Sequence, residues 1–136
     1  MHTDRSTDSA LRRCVPTALL VEDDAAIRCF MRAALEEHGW HVCEAGTLTY
    51  ANALFHVTTP DLIVLELGLP EGGAVDFIVQ VRQQSLVPVI VLAARVEESD
   101  KAHALAAGAD DYLTKLFGVG ERFNAALRRL RPVQKQ

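Results

Sequence analysis

Five short strand-like runs set the limits on what this chain can fold into. They are Ala18-Leu19-Leu20-Val21, His41-Val42-Cys43-Glu44, Leu62-Ile63-Val64-Leu65, Val89-Ile90-Val91-Leu92 and Tyr112-Leu113-Thr114. Each is too short for a helix, and they recur in steps of roughly twenty residues with one helical stretch between neighbours. The third run, bounded by Pro60-Asp61, reads as a strand covered on both faces. Strands alternating with helices in this way imply an α/β fold, a parallel sheet with right-handed crossovers and helices on both sides.

The intervening stretches carry their own start and stop signals. Asp24 is placed to cap a first helix whose apolar face is Ile27, Met31, Ala34 and Leu35, and Gly39 ends it. Thr47 caps a second, with Leu48, Ala51, Leu54 and Phe55 inward, which must stop before Thr59-Pro60. A third carries Val75, Phe77, Ile78 and Val81. A fourth, from Glu98 to Ala107, is expected to turn Ala102, Leu105 and Ala106 inward and to end at Gly108. The last shows Phe123, Leu127 and Leu130 at helical spacing.

Composition narrows the function classes. The 136 residues suit one domain, and the net charge of −4 argues against a nucleic-acid or anionic-membrane surface. No apolar stretch is long enough to span a bilayer, and the N-terminus lacks the apolar region of a secretory signal. Cys14, Cys29 and Cys43 offer neither a disulfide framework nor metal-ligand spacing, which fits the cytoplasm. The scattered histidines form no helical metal pair.

In a sheet of this kind the strand C-termini and helix N-termini gather at one edge, and chemistry sits there. Glu22 and Asp23 follow the first run, Glu66 ends the third in DLIVLELGLPEGG, and Lys115 follows the fifth. These four side chains are therefore expected to meet.

The motifs VEDD, DLIVLELGLP and GADDYLTK together resemble the receiver domain of two-component response regulators. PDLIVLELGLP and AGADDYL are especially similar to the potassium-operon branch of the OmpR/PhoB winged-helix class. The resemblance implies a flavodoxin-like doubly wound sheet of five parallel strands, order 2-1-3-4-5, with five helices. It covers residues 17–131 as a receiver, with 1–16 as an N-terminal tail and 132–136 as a C-terminal tail. It also implies phosphoryl transfer from a sensor histidine kinase to residue 66, with Mg²⁺ held by Glu22, Asp23 and Glu66. Position 93 and Lys115 would contact the phosphoryl oxygens, and Tyr112 would be the switch aromatic. Charge spread over those oxygens must be met by cations and aimed donors.

The chain departs from that pattern at four positions. The acceptor position is Glu66 rather than aspartate, the hydroxyl position is Ala93, the residue after Lys115 is Leu116 rather than proline, and Ala74 replaces a glycine. One added methylene shifts the carboxylate by about a bond length, where roughly 1 Å of misplacement is badly tolerated. The Lys115–Leu116 peptide is expected to be trans, because a cis bond without proline costs roughly 3–4 kcal/mol.

Two readings follow. Glu66 pushing negative charge toward the phosphoryl position, with Ala93 leaving room for Tyr112 to turn inward, would give an active-like receiver without phosphorylation. Plain decay of the site would favour no state. The alternative to both is a working receiver in which Glu66 or a neighbour takes the phosphoryl group, while a small-molecule carrier on the same fold fails because EDD in the first loop repels phosphate. The resemblance further implies homodimerisation through the fourth helix, fifth strand and fifth helix, where Lys101, Asp110, Asp111 and Glu121 match. Ala125 stands where a partner arginine is expected, which weakens that dimer. Arg128, Arg129 and Arg131 read as cations favouring a helix C-terminus. The sequence carries no DNA-binding domain, so it is expected to be a stand-alone receiver or a truncated regulator whose output runs through a downstream protein partner.

Overall fold

The computed structural model describes residues 15–95, 97–114 and 119–129. The chain runs β1 (Thr17–Val21), α1 (Ala25–Glu37), β2 (His41–Ala45), α2 (Leu48–Thr58), β3 (Leu62–Glu66), α3 (Ala74–Arg82), β4 (Val89–Ala93), α4 (Glu98–Ala107), β5 (Asp111–Thr114) and α5 (Val119–Arg129). All four strand pairings are parallel, and the order is β2-β1-β3-β4-β5. The flavodoxin-like expectation is met.

Alternate strand residues feed two cores, as the two-residue period of a strand demands. Leu19, Val21, Ile63, Leu65, Val89 and Val91 pack with Phe55, Phe77 and Ile78 from α2 and α3. Ala18, Leu20, Leu62, Val64, Ile90 and Leu92 pack with Met31, Leu35, Phe123 and Leu127 from α1 and α5. Every residue of β3 and β4 is buried, so the central strands are covered on both faces.

The helix starts are built as the sequence implies. Asp24 Oδ1 accepts the Ile27 amide at 3.0 Å, and Thr47 Oγ1 accepts the Tyr50 amide at 3.1 Å. Helix α2 stops at Thr58, but Thr59 takes a left-handed backbone (φ 43°) rather than the extended form usual before proline.

Helix α4 is a correction. Ala102, Leu105 and Ala106 face solvent, with Leu105 40% exposed, while Ala104 is fully buried. The helix is rich in alanine, so its apolar contrast is small, and its phase is set by a tertiary tie at its end. Arg82 donates from Nε (3.1 Å) and Nη2 (2.7 Å) to the Gly108 carbonyl. The Ala109 amide returns to Ala104 O at 3.0 Å. The expected tails, Leu130, Arg131, Lys115 and the Lys115–Leu116 peptide lie outside the described residues.

Candidate functional site

Strand register brings the acids together. Val21 lies opposite Leu65 and Glu66 opposite Leu92, so Glu22, Glu66 and Ala93 follow one another along the C-terminal edge of the sheet. A cleft of about 810 Å³ opens there. It is lined by Glu22, Asp23, Asp24, Glu66, Asp76, Glu97 and Asp100, with Ala93, Arg95 and Tyr112. Of the four side chains expected to meet, Glu22, Asp23 and Glu66 line this cleft, with Ala93 and Tyr112 beside them, whereas Lys115 is outside the described residues.

Glu66 is 3% exposed, and its Oε2 accepts the Gly68 amide at 2.7 Å. The extra methylene lets the carboxylate curl back onto its own loop, so its charge is drawn down rather than presented to solvent. That differs from a side chain pushing outward to the phosphoryl position. Gly68 makes the turn fit, since a Cβ there would lie 2.9 Å from Glu66 Oε2.

Glu22 is fully buried, and its Oε2 accepts the Asp24 amide at 3.1 Å. The loop carrying it is clamped from the side by Arg28, a residue that no sequence signal singled out. Arg28 Nη1 donates to the Glu22 carbonyl at 2.7 Å and to the Asp23 carbonyl at 3.5 Å, and Nε donates to Glu44 Oε1 at 2.9 Å. Arg32 holds the other Glu44 oxygen. The neighbouring carboxylates Glu36 and Glu44 raise the Arg32 pKa further.

Ala93 is 4% exposed and ends β4 with no hydroxyl to donate. Tyr112 is turned inward, 7% exposed, with its hydroxyl 3.4 Å from the Arg95 carbonyl. Burial pushes its phenol pKa up, so the group stays a neutral donor.

The charges expected to face a second copy are partly occupied within the chain. Asp110 Oδ2 pairs with Arg82 at 3.0 Å and accepts the Val89 amide at 2.8 Å. Asp111 pairs with Arg129 of α5. Arg128 and Arg129 lie in the last turn of α5 as expected, and Arg129 is in addition an ion-pair partner for β5. Glu121 is exposed and Lys101 half-buried. Cys29 and Cys43 are free thiols. No helix among the described residues is long and apolar enough to cross a membrane.

A family model described as the response regulator receiver domain matches residues 18–127. The chain belongs to the response regulator receiver family. This receiver is 57% identical over 114 residues to the KDP operon transcriptional regulatory protein KdpE of Escherichia coli, covering 82% of this chain and 51% of that protein. It is 39% identical over 121 residues to the phosphate regulon transcriptional regulatory protein PhoB of the same species, covering 85% and 53%. It spans about half the length of these curated relatives. Among solved structures, the Francisella response regulator 1452 receiver domain matches with a TM-score of 0.76 and 29% identity, covering 85% of this chain and 95% of that one. The Vibrio cholerae chemotaxis protein CheY4 matches with a TM-score of 0.78 and 26% identity, covering 85% and 98%.

Receivers are signalling domains that interact with histidine kinases and generally bind Mg²⁺ for phosphorylation. Mg²⁺ demands oxygens in near-octahedral geometry. Here only Asp23 of the expected three ligands is exposed, while Glu22 and Glu66 turn an oxygen each onto backbone amides. Among the described residues no group of three or more acidic, histidine or cysteine side chains is placed to hold a metal ion. As arranged, the described side chains form no ready-made three-carboxylate cage for Mg²⁺.

Proposed function

We propose that this receiver signals through protein contacts without being phosphorylated at residue 66. The observation that carries the reading is the bond from the Gly68 amide to Glu66 Oε2. The carboxylate at the acceptor position is buried and already committed to its own loop. Ala93 adds to this, because one of the donors that would stabilise a transferring phosphoryl group is missing. The inward Tyr112 favours an active-like arrangement of the resting chain over simple decay. The reader is a sensor histidine kinase or a downstream protein that recognises the cytoplasmic receiver surface.

The test is incubation with acetyl phosphate and Mg²⁺ followed by intact-mass measurement. No mass gain is expected. A stoichiometric gain of one phosphate on Glu66 would establish the alternative, a working receiver, which the 57% identity to a KDP operon transcriptional regulatory protein favours. On that reading the chain is the receiver part of a DNA-binding regulator.

Homodimerisation through α4, β5 and α5 is weak on our reading, because Asp110 and Asp111 are engaged by Arg82 and Arg129. The exposed Leu105 leaves some apolar surface on that face. Sedimentation at micromolar concentration is expected to show monomer. A tight dimer would contradict the assignment.

A further inference from the structure

We propose that Glu71 is a positioning residue that couples the loop after β3 to helix α2, so that a change at residue 66 is felt at the start of that helix. The coupling concerns the resting chain and holds whether or not residue 66 accepts a phosphoryl group.

Two carboxylates brace the 67–73 loop. At its start Glu66 Oε2 accepts the Gly68 amide, and in its middle Glu71 Oε2 accepts the Leu48 amide at 2.7 Å, 23 residues away in sequence. Leu48 opens α2, and the first amides of a helix have no acceptor within it. Thr47 takes one of them, the amide of Tyr50. Helix α2 has no acid in its own first turn, so Glu71 supplies both an acceptor and the negative charge that a helix N-terminus favours.

The far end of the loop also approaches Leu48, since a Cβ built on Gly73 would lie at an ordinary contact distance, 3.5 Å, from Leu48 Cδ1. Leu48 also packs on the core beneath α2 and α3. The loop therefore cannot shift without breaking the Glu71 bond or moving the start of α2. Because Glu71 is exposed, the bond exchanges readily with water, and opening it takes little free energy. That suits a coupling element better than a structural staple.

The test uses ¹H–¹⁵N spectra of the full chain, unphosphorylated throughout. E66Q keeps the side-chain volume and removes its charge. In the unmodified background E66Q is expected to shift the Leu48 amide resonance. In the E71A background that E66Q-induced shift is expected to be lost, and in the E71Q background, which keeps an acceptor, it is expected to persist. E71A alone is expected to speed exchange of the Leu48 amide about fivefold, the usual size of a lost helix cap. A Leu48 response that survives E71A, or one that E66Q never produces, overturns the coupling.

Discussion

On the proposed reading, the double substitution Glu66→Asp with Ala93→Ser is expected to gain a single phosphate from acetyl phosphate in Mg²⁺ buffer where the parent chain gains none. Shortening residue 66 by one methylene moves the carboxylate by about a bond length, and misplacement of about 1 Å is worth on the order of 10²-fold in rate. Restoring a hydroxyl at the end of β4 returns a donor aimed at the phosphoryl oxygens, and one such donor is worth on the order of 10²–10³-fold. If the two act independently, the double variant exceeds the parent by about 10⁴-fold or more, with each single variant between. The check is a mass time course on all four proteins, with circular dichroism to verify the fold. A folded double variant that stays unmodified would show that residues 66 and 93 are not what silences the site.

The fold was legible because its signals are local. The apolar runs of β1, β3 and β4 are bounded by turn residues, and Asp24 and Thr47 cap the helices they precede. Convergence of Glu22, Asp23 and Glu66 followed from topology alone, since each sits at or just beyond the end of a strand, whereas Ala93 and Tyr112 were placed beside them by the family resemblance. The side-chain directions were not legible. Whether Glu66 reaches outward or curls onto Gly68 is a choice of rotamer made by the loop backbone. The exposed face of α4 was misjudged because alanine carries little preference, and a tie from Arg82, 26 residues from Gly108, sets the phase instead. Arg28–Glu44 and Glu71–Leu48 are likewise contacts between distant positions, which no periodicity encodes.

Gly108→Ala is expected to be among the most destabilising single-methyl additions in the chain, lowering stability by about 3 kcal/mol and the melting temperature by roughly 10 °C. Gly108 ends α4 at φ 125°, a conformation that residues with a Cβ adopt only under strain, at about 1–2 kcal/mol. A Cβ there would also lie 2.6 Å from Arg82 Cγ and 2.8 Å from Arg82 Nε, inside any normal contact distance. Arg82 cannot step aside freely. Besides the Gly108 carbonyl it serves the Val87 carbonyl at 2.6 Å and Asp110 at 3.0 Å, so moving it loosens α3, the strand entry to β4 and the α4–β5 turn together. Each bond lost costs about 1 kcal/mol net. Gly39→Ala separates the two contributions. Gly39 also has a positive φ, 87°, but a Cβ there meets nothing within 4 Å, so only the backbone strain of about 1 kcal/mol is expected. If the collision with Arg82 is the larger cause, Gly108→Ala measured in an Arg82→Ala background should cost no more than Gly39→Ala does. Equal melting temperatures for Gly39→Ala and Gly108→Ala in the unmodified background would instead mean that Arg82 yields without penalty and is no fixed tie for α4.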